Sequence, residues 1–445
     1  MLTTPESIRT LQRKLYRKAK QEPACRFHAL YDKVYRADIL GHAYDLVRAN
    51  KGSAGIDGVS FEDIEAQEGA AAVFVAELAE ALRSKRYKPD PVKRVMIPKQ
   101  DDSKRPLGIP TIRDRVAQMA VKLVIEPIFE ADFCDNSYGF RPKRSAHDAI
   151  DDVAHTLHQG YSEVIHADIS KYFDTIPHAK LMTMVAERIC DGALLQLIQM
   201  WLKAPVMEVD KDGAKRNIGG GKGNRKGTPQ GGVISPLLSN LFLHLLDRLW
   251  EKRGLQQRIG ARMVRYADDI VVLCRKGSEQ PKAVLQQILL RMGLTLNEAK
   301  TQVVNAYQGK FDFLGFEIGM GKSRRTGSWY PHVQPSKKSL KTIKDRITQL
   351  TVRTRTAMPM DWLVNELNAT VRGWVGYFHV RNCSKSLTRV RWHLEERMRT
   401  HLRKRHKVRD RRMGYFWFAD RDLYGKYGLY KVPTTAGWTK AHASR

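Results

Sequence analysis

The sequence predicts an α+β fold followed by an all-α part. Three observations predict it. Short strand-forming runs stand between helical stretches without regular β–α alternation, as in KPDPVKRVMIPKQDDSKRPLGIP (88–110), EVIHADIS (163–170) and RMVRYADDIVVLC (262–274). Beyond about residue 335 the strand signal stops and helical patterning takes over. Lys and Arg grow denser toward the C-terminus, most of all in RWHLEERMRTHLRKRHKVRDRR (391–412).

In chain order, residues 1–50 read as basic helix, with Arg13, Lys14, Arg17 and Lys18 interleaved with Leu11, Leu15 and Tyr16. KGSAGIDGVS (51–60) reads as a Gly-rich loop and 61–86 as helix. Residues 88–110 read as strand, turn, strand, because Pro and Asp-Asp punctuate an apolar run. Helix is expected over 113–131 and 178–202, and a strand ending in an acid over 163–170. KDGAKRNIGGGKGNRKGTPQGG (211–232) reads as basic loop, and VISPLLSNLFLHLLDRLWEK (233–252) as a mostly apolar helix. A hairpin over 262–274, a helix over 280–293 and a strand over 311–318 complete the mixed part.

The chain has 445 residues and a formal net charge of +30, from 77 Lys+Arg against 47 Asp+Glu. Its length corresponds to roughly three domains of about 150 residues. Such a charge suits phosphate polyanions, which bind through counterion release, with an anionic membrane as the competing partner. No apolar run approaches the roughly 20 residues needed to span a bilayer, and MLTTPESIRTLQRKLYRKAK lacks the apolar segment of a signal peptide. A soluble, intracellular protein is expected. The five cysteines (Cys25, Cys134, Cys190, Cys274, Cys383) form no CxxC pair, so neither a disulfide framework nor a zinc site is expected.

Against this positive background, Asp268 and Asp269 stand together in the middle of a hairpin pattern. A tight turn accounts for them in part, since Asp tolerates positive φ. A second acid, Asp168, ends a strand about a hundred residues earlier. If the two strands are neighbours in one sheet, these acids converge. A carboxylate cluster in a basic protein suits hard divalent cations, and Mg²⁺ prefers a few carboxylates plus substrate phosphates. Two such ions, roughly 3.5–4 Å apart, would clamp the attacking and leaving oxygens of a displacement at phosphorus.

YADD (266–269) with ADISKYFD (167–174) resembles the palm of a reverse transcriptase. Five further blocks follow in that family's order: KRPLGIPTIRDR (104–115), NSYGFRPKRSAHDAI (136–150), GTPQGGVISPLLSNLFLHLLD (227–247), GLTLNEAKT (293–301) and FDFLGFEI (311–318). Together they resemble the reverse transcriptase/maturases encoded by bacterial group II introns, and NATVRGWVGYF (368–378) is similar to that family's thumb, or maturase, domain. The resemblance implies a right-hand polymerase: an N-terminal extension with the start of the fingers (1–90), fingers and palm (91–325), an all-α thumb (326–400) and a basic DNA-binding tail (401–445).

It also implies roles. Asp168, Asp268 and Asp269 would bind two Mg²⁺ ions, with a backbone carbonyl from Ile169. Lys99 and Arg105 would hold the triphosphate of an incoming dNTP. Phe173 would lie against its sugar and exclude a 2′-hydroxyl, where the residues alone read equally as a core aromatic. Gln230 would contact the nucleotide, where the residues alone read as a turn. Arg13, Lys14, Arg17, Lys18, Arg403, Lys404, Arg405 and Lys407 would meet nucleic acid, the bland alternative being a solvated face. The implied partners are the group II intron RNA, an RNA template with its DNA primer, target DNA and dNTPs, with no membrane. The implied place is the bacterial cytoplasm, and the nucleoid during action on DNA.

GGGKGNRKGT is no phosphate-cradling loop, since no GK[ST] follows at the required spacing. His401 and His406 lie among Arg and Lys and far from any Cys, which argues against a metal site. The sequence reaches Arg445 without the clustered His and Cys of the family's endonuclease, so it resembles the shorter members, and autonomous second-strand cleavage is not expected. Three functions compete: a polymerase that also assists splicing, a maturase acting mainly as an RNA-binding cofactor, and a reverse transcriptase of a defence or spacer-acquisition system.

Overall fold

The N-terminal helix Glu6–Gln21 buries Ile8, Leu15 and Ala19, a stripe at helical spacing, and presents its basic residues outward. The stripe packs on the long helix Ile112–Glu130, to which Gln12 and Lys20 also donate hydrogen bonds, at the carbonyls of Leu123 and Ala131. The computed structural model describes residues 2–98, 104–210 and 212–437.

Among those residues the strands are, in chain order, β1 (Val92–Pro98), β2 (Lys104–Ile109), β3 (Glu163–Ala167), β4 (Val206–Val209), β5 (Lys215–Gly219), β6 (Ala261–Tyr266), β7 (Asp269–Cys274), β8 (Gln302–Asn305), β9 (Phe311–Phe313), β10 (Phe316–Lys322) and β11 (Trp329–Pro335). They form three sheets. The first has the order β2-β1-β4-β5, with β1 and β4 parallel. The central sheet is antiparallel, in the order β6-β7-β3-β8, and the third is β11-β10-β9.

The central sheet is covered on both faces. Ile165, Ala167, Met263, Ile270 and Val272 face the main core, which gathers the N-terminal helices and the helix Ser235–Lys252. Val164, Val264, Val271 and Leu273 face a second core with Phe311, Phe313 and Phe316. Burial on both sides is why IVVLC reads as a continuous apolar run rather than an alternation.

The third core is all helical. Leu363, Leu367, Val371 and Val375 repeat every fourth residue along Met360–Phe378 and meet Lys337–Leu350 and Ser384–Arg405. Phe418, Leu423, Leu429 and Val432 belong to the same core. The expected division at 400/401 therefore falls inside one continuous helix, and the segment to 432 packs onto that helix rather than trailing as a tail. The division at 325/326 falls in the loop between paired strands β10 and β11.

Other expectations are refined. The helix expected over 61–86 is two, Phe61–Ile64 and Ala70–Arg83, separated at Gly69, whose φ is +79°. The basic loop 211–232 contains β5, paired with β4. The helix expected over 178–202 is also two, His178–Ala186 and Gly192–Leu202, and the break has a use. Asp191 caps the second by accepting from Leu194 N–H at 3.2 Å, and also accepts from Leu30 and Tyr31 N–H at 2.9 and 2.8 Å. One carboxylate thus fastens the N-terminal segment to the body. Burial works to raise its pKa, but these backbone donors outweigh it and hold it below the usual range.

Asp191→Ala strands three donors, so it is expected to lose about 1–3 kcal/mol of stability in urea titrations at neutral pH. Because the folded-state pKa is depressed, the carboxylate's contribution is present above about pH 4 and is lost as pH falls through the folded value. The gap between Asp191→Asn and wild type should therefore close on acidification.

Candidate active site

β6 and β7 join through Ala267-Asp268, with Tyr266 paired to Asp269. The left-handed residue of this turn is Ala267, at φ +56°, and neither aspartate adopts positive φ. A bulkless neighbour is required: a Cβ on Gly139 would lie 2.3 Å from the Ala267 nitrogen.

Beneath the turn, Arg265 is fully buried. Its guanidinium binds Asp247 at 2.5 Å, the Asn240 amide oxygen at 3.0 Å and the Ala267 carbonyl at 2.9 Å. Asn240 in turn donates to the Gly139 carbonyl at 2.6 Å. Burial opposes the charge on Arg265, and Asp247 outweighs it and keeps the guanidinium firmly protonated.

β3 lies against β7 with Ala167 opposite Ile270, so the next step of the register sets Asp168 opposite Asp269. The backbone beyond β3 is held on its other side, where Ser170 N–H donates to Thr295 O and Asn297 N–H to Asp168 O. These bonds flank the Ile169–Leu296 bridge in the pattern of a non-hydrogen-bonded pair. The carbonyl of Ile169 therefore turns away from Leu296, toward the strand carrying the acids. Asn297 also donates its side-chain amide to the Asp168 carboxylate at 3.1 Å.

Asp268 lies within reach of the charges of both other acids. Burial raises the pKa of Asp268, the carboxylates of Asp269 and Asp168 raise it further, and Arg105 pulls it down. Arg105 donates to the Gln230 side-chain oxygen at 3.0 Å, so these residues share one locus. Asp269 is engaged differently, its carboxylate lying 2.6 Å from His166 Nε2. Burial works against the charge on His166, but the Asp269 bond, together with the charges of Asp269, Asp168 and Asp312, outweighs it and raises the imidazole pKa. Among the described residues, no group of three or more His, Cys, Asp or Glu side chains forms a ready-made metal cage. A pair of carboxylates with a free carbonyl nonetheless suits Mg²⁺, which takes its remaining ligands from water and phosphate.

Phe173 is 8% exposed and belongs to the main core. Its carbonyl accepts from Thr228 N–H at 2.7 Å, which ties it to the TPQGG loop. Beside it opens a cleft of about 240 Å³, lined by Arg94, Pro106, Gly108, Asp174, Gly227 and Gln230. Lys99 lies outside the described residues.

The basic candidates divide. Arg13, Lys14, Arg17 and Lys18 are exposed, with Arg13 bound to Glu6 at 2.8 Å. Lys404 and Lys407 are exposed as well. Arg403 donates to the Arg409 carbonyl at 2.6 Å, and Arg405 to those of Thr356 and Met358 at 2.7 and 2.6 Å, so these two secure the fold locally. His166, Asn297, Arg265, Asp247 and Asn240 were not singled out from sequence. An arginine inside the apolar run MVRYA signals a buried partner, and His166 shares the period-2 face of Asp168.

Comparison with known proteins identifies the class. Residues 97–318 match the reverse transcriptase (RNA-dependent DNA polymerase) family, and residues 340–417 match the group II intron, maturase-specific domain. Protein YkfC of Escherichia coli K12 is 34% identical over 71% of this chain and 90% of its own length. Group II intron-encoded protein LtrA of Lactococcus lactis is 30% identical over 68% of this chain, and a 91 kDa protein in the cob intron of Schizosaccharomyces pombe is 27% identical over 78%. The aligned region covers 58% and 50% of those two longer proteins. The chain belongs to the family of group II intron-encoded reverse transcriptase/maturases. Its reverse transcriptase domain makes it an RNA-directed DNA polymerase, a family that uses divalent metal ions, and its maturase domain ties it to intron splicing and mobility. No helix among the described residues is long and apolar enough to cross a membrane.

Asp247→Asn leaves the Arg265 charge buried without its counterion and is expected to cost about 3–5 kcal/mol, read as a lower urea midpoint. Arg265→Met with Asp247→Leu removes both charges and should recover much of that stability. Because the Ala267 turn then loses its tether, primer extension by the double variant should remain low while its melting temperature recovers.

Proposed function

We propose that the central sheet is the palm of a right-hand polymerase, that β1, β2, β4 and β5 belong to its fingers, and that the helices after Ser336 form its thumb. Asp168 and Asp268, with the Ile169 carbonyl, hold two Mg²⁺ ions, and Asp269 completes the acidic cluster while bonded to His166. The observation that carries this reading is the register of β3 on β7, which brings Asp168 beside the turn that holds Asp268 and Asp269. When bound, the ions supply charge stabilisation for the displacement at the α-phosphorus of a dNTP.

The chain's own residues do the rest. Arg105, with Lys99, binds the triphosphate and neutralises charge that Asp268 alone would repel. Gln230 lines the nucleotide's position from a loop whose glycines let backbone come close. Phe173 stands at the sugar. His166 fixes the orientation of Asp269, and Asn297 that of Asp168. The primer's 3′-hydroxyl attacks, pyrophosphate leaves, and one deoxynucleotide is added opposite the RNA template.

The same molecule holds its group II intron RNA in a splicing-competent form and copies it into DNA at a target site. The exposed Arg13, Lys14, Arg17, Lys18, Lys404 and Lys407 support this reading, as does the maturase domain. It works in the bacterial cytoplasm and on the nucleoid.

Asp268→Asn keeps shape and removes one charge from the cluster. Primer extension on an RNA template should fall at least about a thousandfold, equivalent to roughly 4 kcal/mol. Binding of the intron RNA and splicing assistance should persist, since they depend on basic surfaces elsewhere. Extension near wild type would show that the cluster is not the reaction centre. Retained extension in a protein that binds no intron RNA would favour a defence-type reverse transcriptase instead.

Phe173→Ala should raise the ratio of rNTP to dNTP incorporation with a modest loss of dNTP use, if the ring's exposed edge meets the sugar. If the ring serves only as core, the same change costs roughly 3–5 kcal/mol and lowers both activities together. Paired incorporation assays with a melting curve distinguish the two.

A further inference from the structure

Away from the cleft, one surface combines exposed aromatic rings with unopposed positive charge. Trp329 opens β11 and Tyr307 follows β8. They are 44% and 41% exposed, and their rings meet edge to face, with centroids 5.0 Å apart and an interplanar angle of 89°. The backbone fixes the pair: Met320 N–H donates to the Ala306 carbonyl at 2.7 Å, and Lys322 faces Trp329 across the hairpin. Ser323 N–H closes the hairpin loop on the Ser328 carbonyl at 2.9 Å. Lys322, Arg324 and Arg325 are exposed there. From Ile318 to Gln334, along both strands of this hairpin, the chain carries one lysine and two arginines and no Asp or Glu.

The patch is distinct from the reaction centre. The Leu314-Gly315 turn, at the other end of β10, lies near the acids, since the Phe313 ring is 6.3 Å from that of His166, which bonds Asp269. A strand the length of β10 separates the two ends by about 20 Å.

Two rings held at right angles offer flat faces for planar groups, while nearby guanidiniums suit phosphate oxygens. Base pairs in a duplex hide the faces such rings would stack on. An anionic bilayer would suit a broader apolar face than two rings. We propose that Tyr307, Trp329, Arg324 and Arg325 form an accessory site for unpaired nucleotides of a single strand, stacked on the aromatic pair and gripped by the arginines. The inference rests on the reading of this protein as one that handles RNA and DNA strands, and it adds a second grip outside the polymerase cleft. Such a site anchors a loop or displaced strand while the cleft is occupied.

The test uses the full chain with its cleft saturated by an RNA template annealed to a chain-terminated DNA primer. A labelled single strand, RNA in one arm and DNA in the other, is then titrated by fluorescence anisotropy. Wild type should bind it, and the arm with the higher affinity identifies the source of the strand. Trp329→Ala should weaken binding roughly ten- to a hundredfold, as expected for loss of one stacked base, and Trp329→Phe should retain most of it. Arg324→Ala with Arg325→Ala should lower the log–log salt slope by about 1.4, from two phosphate contacts on a single strand. These loop changes need no refolding of a strand, so the inference stays testable if Trp329→Ala unfolds.

Primer extension on a short template should be unchanged in all three variants, which separates this inference from the assignment of the reaction centre. No binding of a second strand, or binding indifferent to Trp329 and to both arginines, overturns the proposal. So does an equal loss for duplex, or a Trp329-dependent affinity for anionic vesicles that exceeds that for single strands.

Discussion

The ion pair between Arg265 and Asp247 is the constraint on which the site depends. Both side chains are fully buried. Removing two charges from water is expensive, and the attraction between them offsets that only with good geometry and further hydrogen bonds. Here the further bonds go to Asn240 and the Ala267 carbonyl, and Asn240 reaches the Gly139 carbonyl. The pair therefore specifies position more than it adds stability. It locks the helix Ser235–Lys252, strand β6 and the loop around Gly139 into a single arrangement, in which the tip carrying Asp268 has one conformation. Trp250 reinforces the same junction by donating to the Ala261 carbonyl at 3.0 Å.

A rigid tip matters because the acids repel one another. Asp268 is half-buried beside two other carboxylates in a protein whose surface is strongly positive. A flexible turn would relieve that repulsion by swinging outward. The tether prevents it, and the register between β3 and β7 holds Asp168 from the other side. Burial is the main reason the pKa of Asp268 is raised, and the repulsion from its neighbours adds to it; that added part is what a divalent cation at the proposed site would relieve.

Much of this was legible in the sequence. The hairpin, the strand ending in Asp168 and the helices 113–131, 233–252 and 280–293 follow from local patterning, with Thr111 capping the first of these helices. Strands β4, β5, β8 and β11 were not legible. They are short, carry little alternation, and exist because distant segments pair with them; β4 is fixed in part by a parallel partner more than a hundred residues away. Nor could charge alone give direction. Arg403 and Arg405 sit in the most basic run of the chain, yet their long stems carry the guanidiniums to backbone carbonyls. The pairing of Asp269 with His166 was hidden for a different reason, since it depends on a cross-strand register that sequence spacing does not supply.

The junction between the two matched domains follows from the same physics. Val380 and Phe378 belong to the second core rather than to the helical core, and the Phe378 ring lies 5.0 Å from that of Phe316. The Tyr377 hydroxyl donates to the Leu314 carbonyl at 3.0 Å, its carbonyl meets His147 at 2.7 Å, and Arg381 binds Asp151 at 2.6 Å. These contacts mix apolar burial with directed bonds at the turn between β9 and β10, beside Phe313, whose ring lies 6.3 Å from that of His166. The C-terminal helices are thus joined to the sheet by side-chain packing and directed bonds. If those helices grip RNA, as proposed, packed side chains rather than a linker connect them to the sheet that carries the acids. That coupling gives a physical reason for polymerase and maturase functions to be housed in one body.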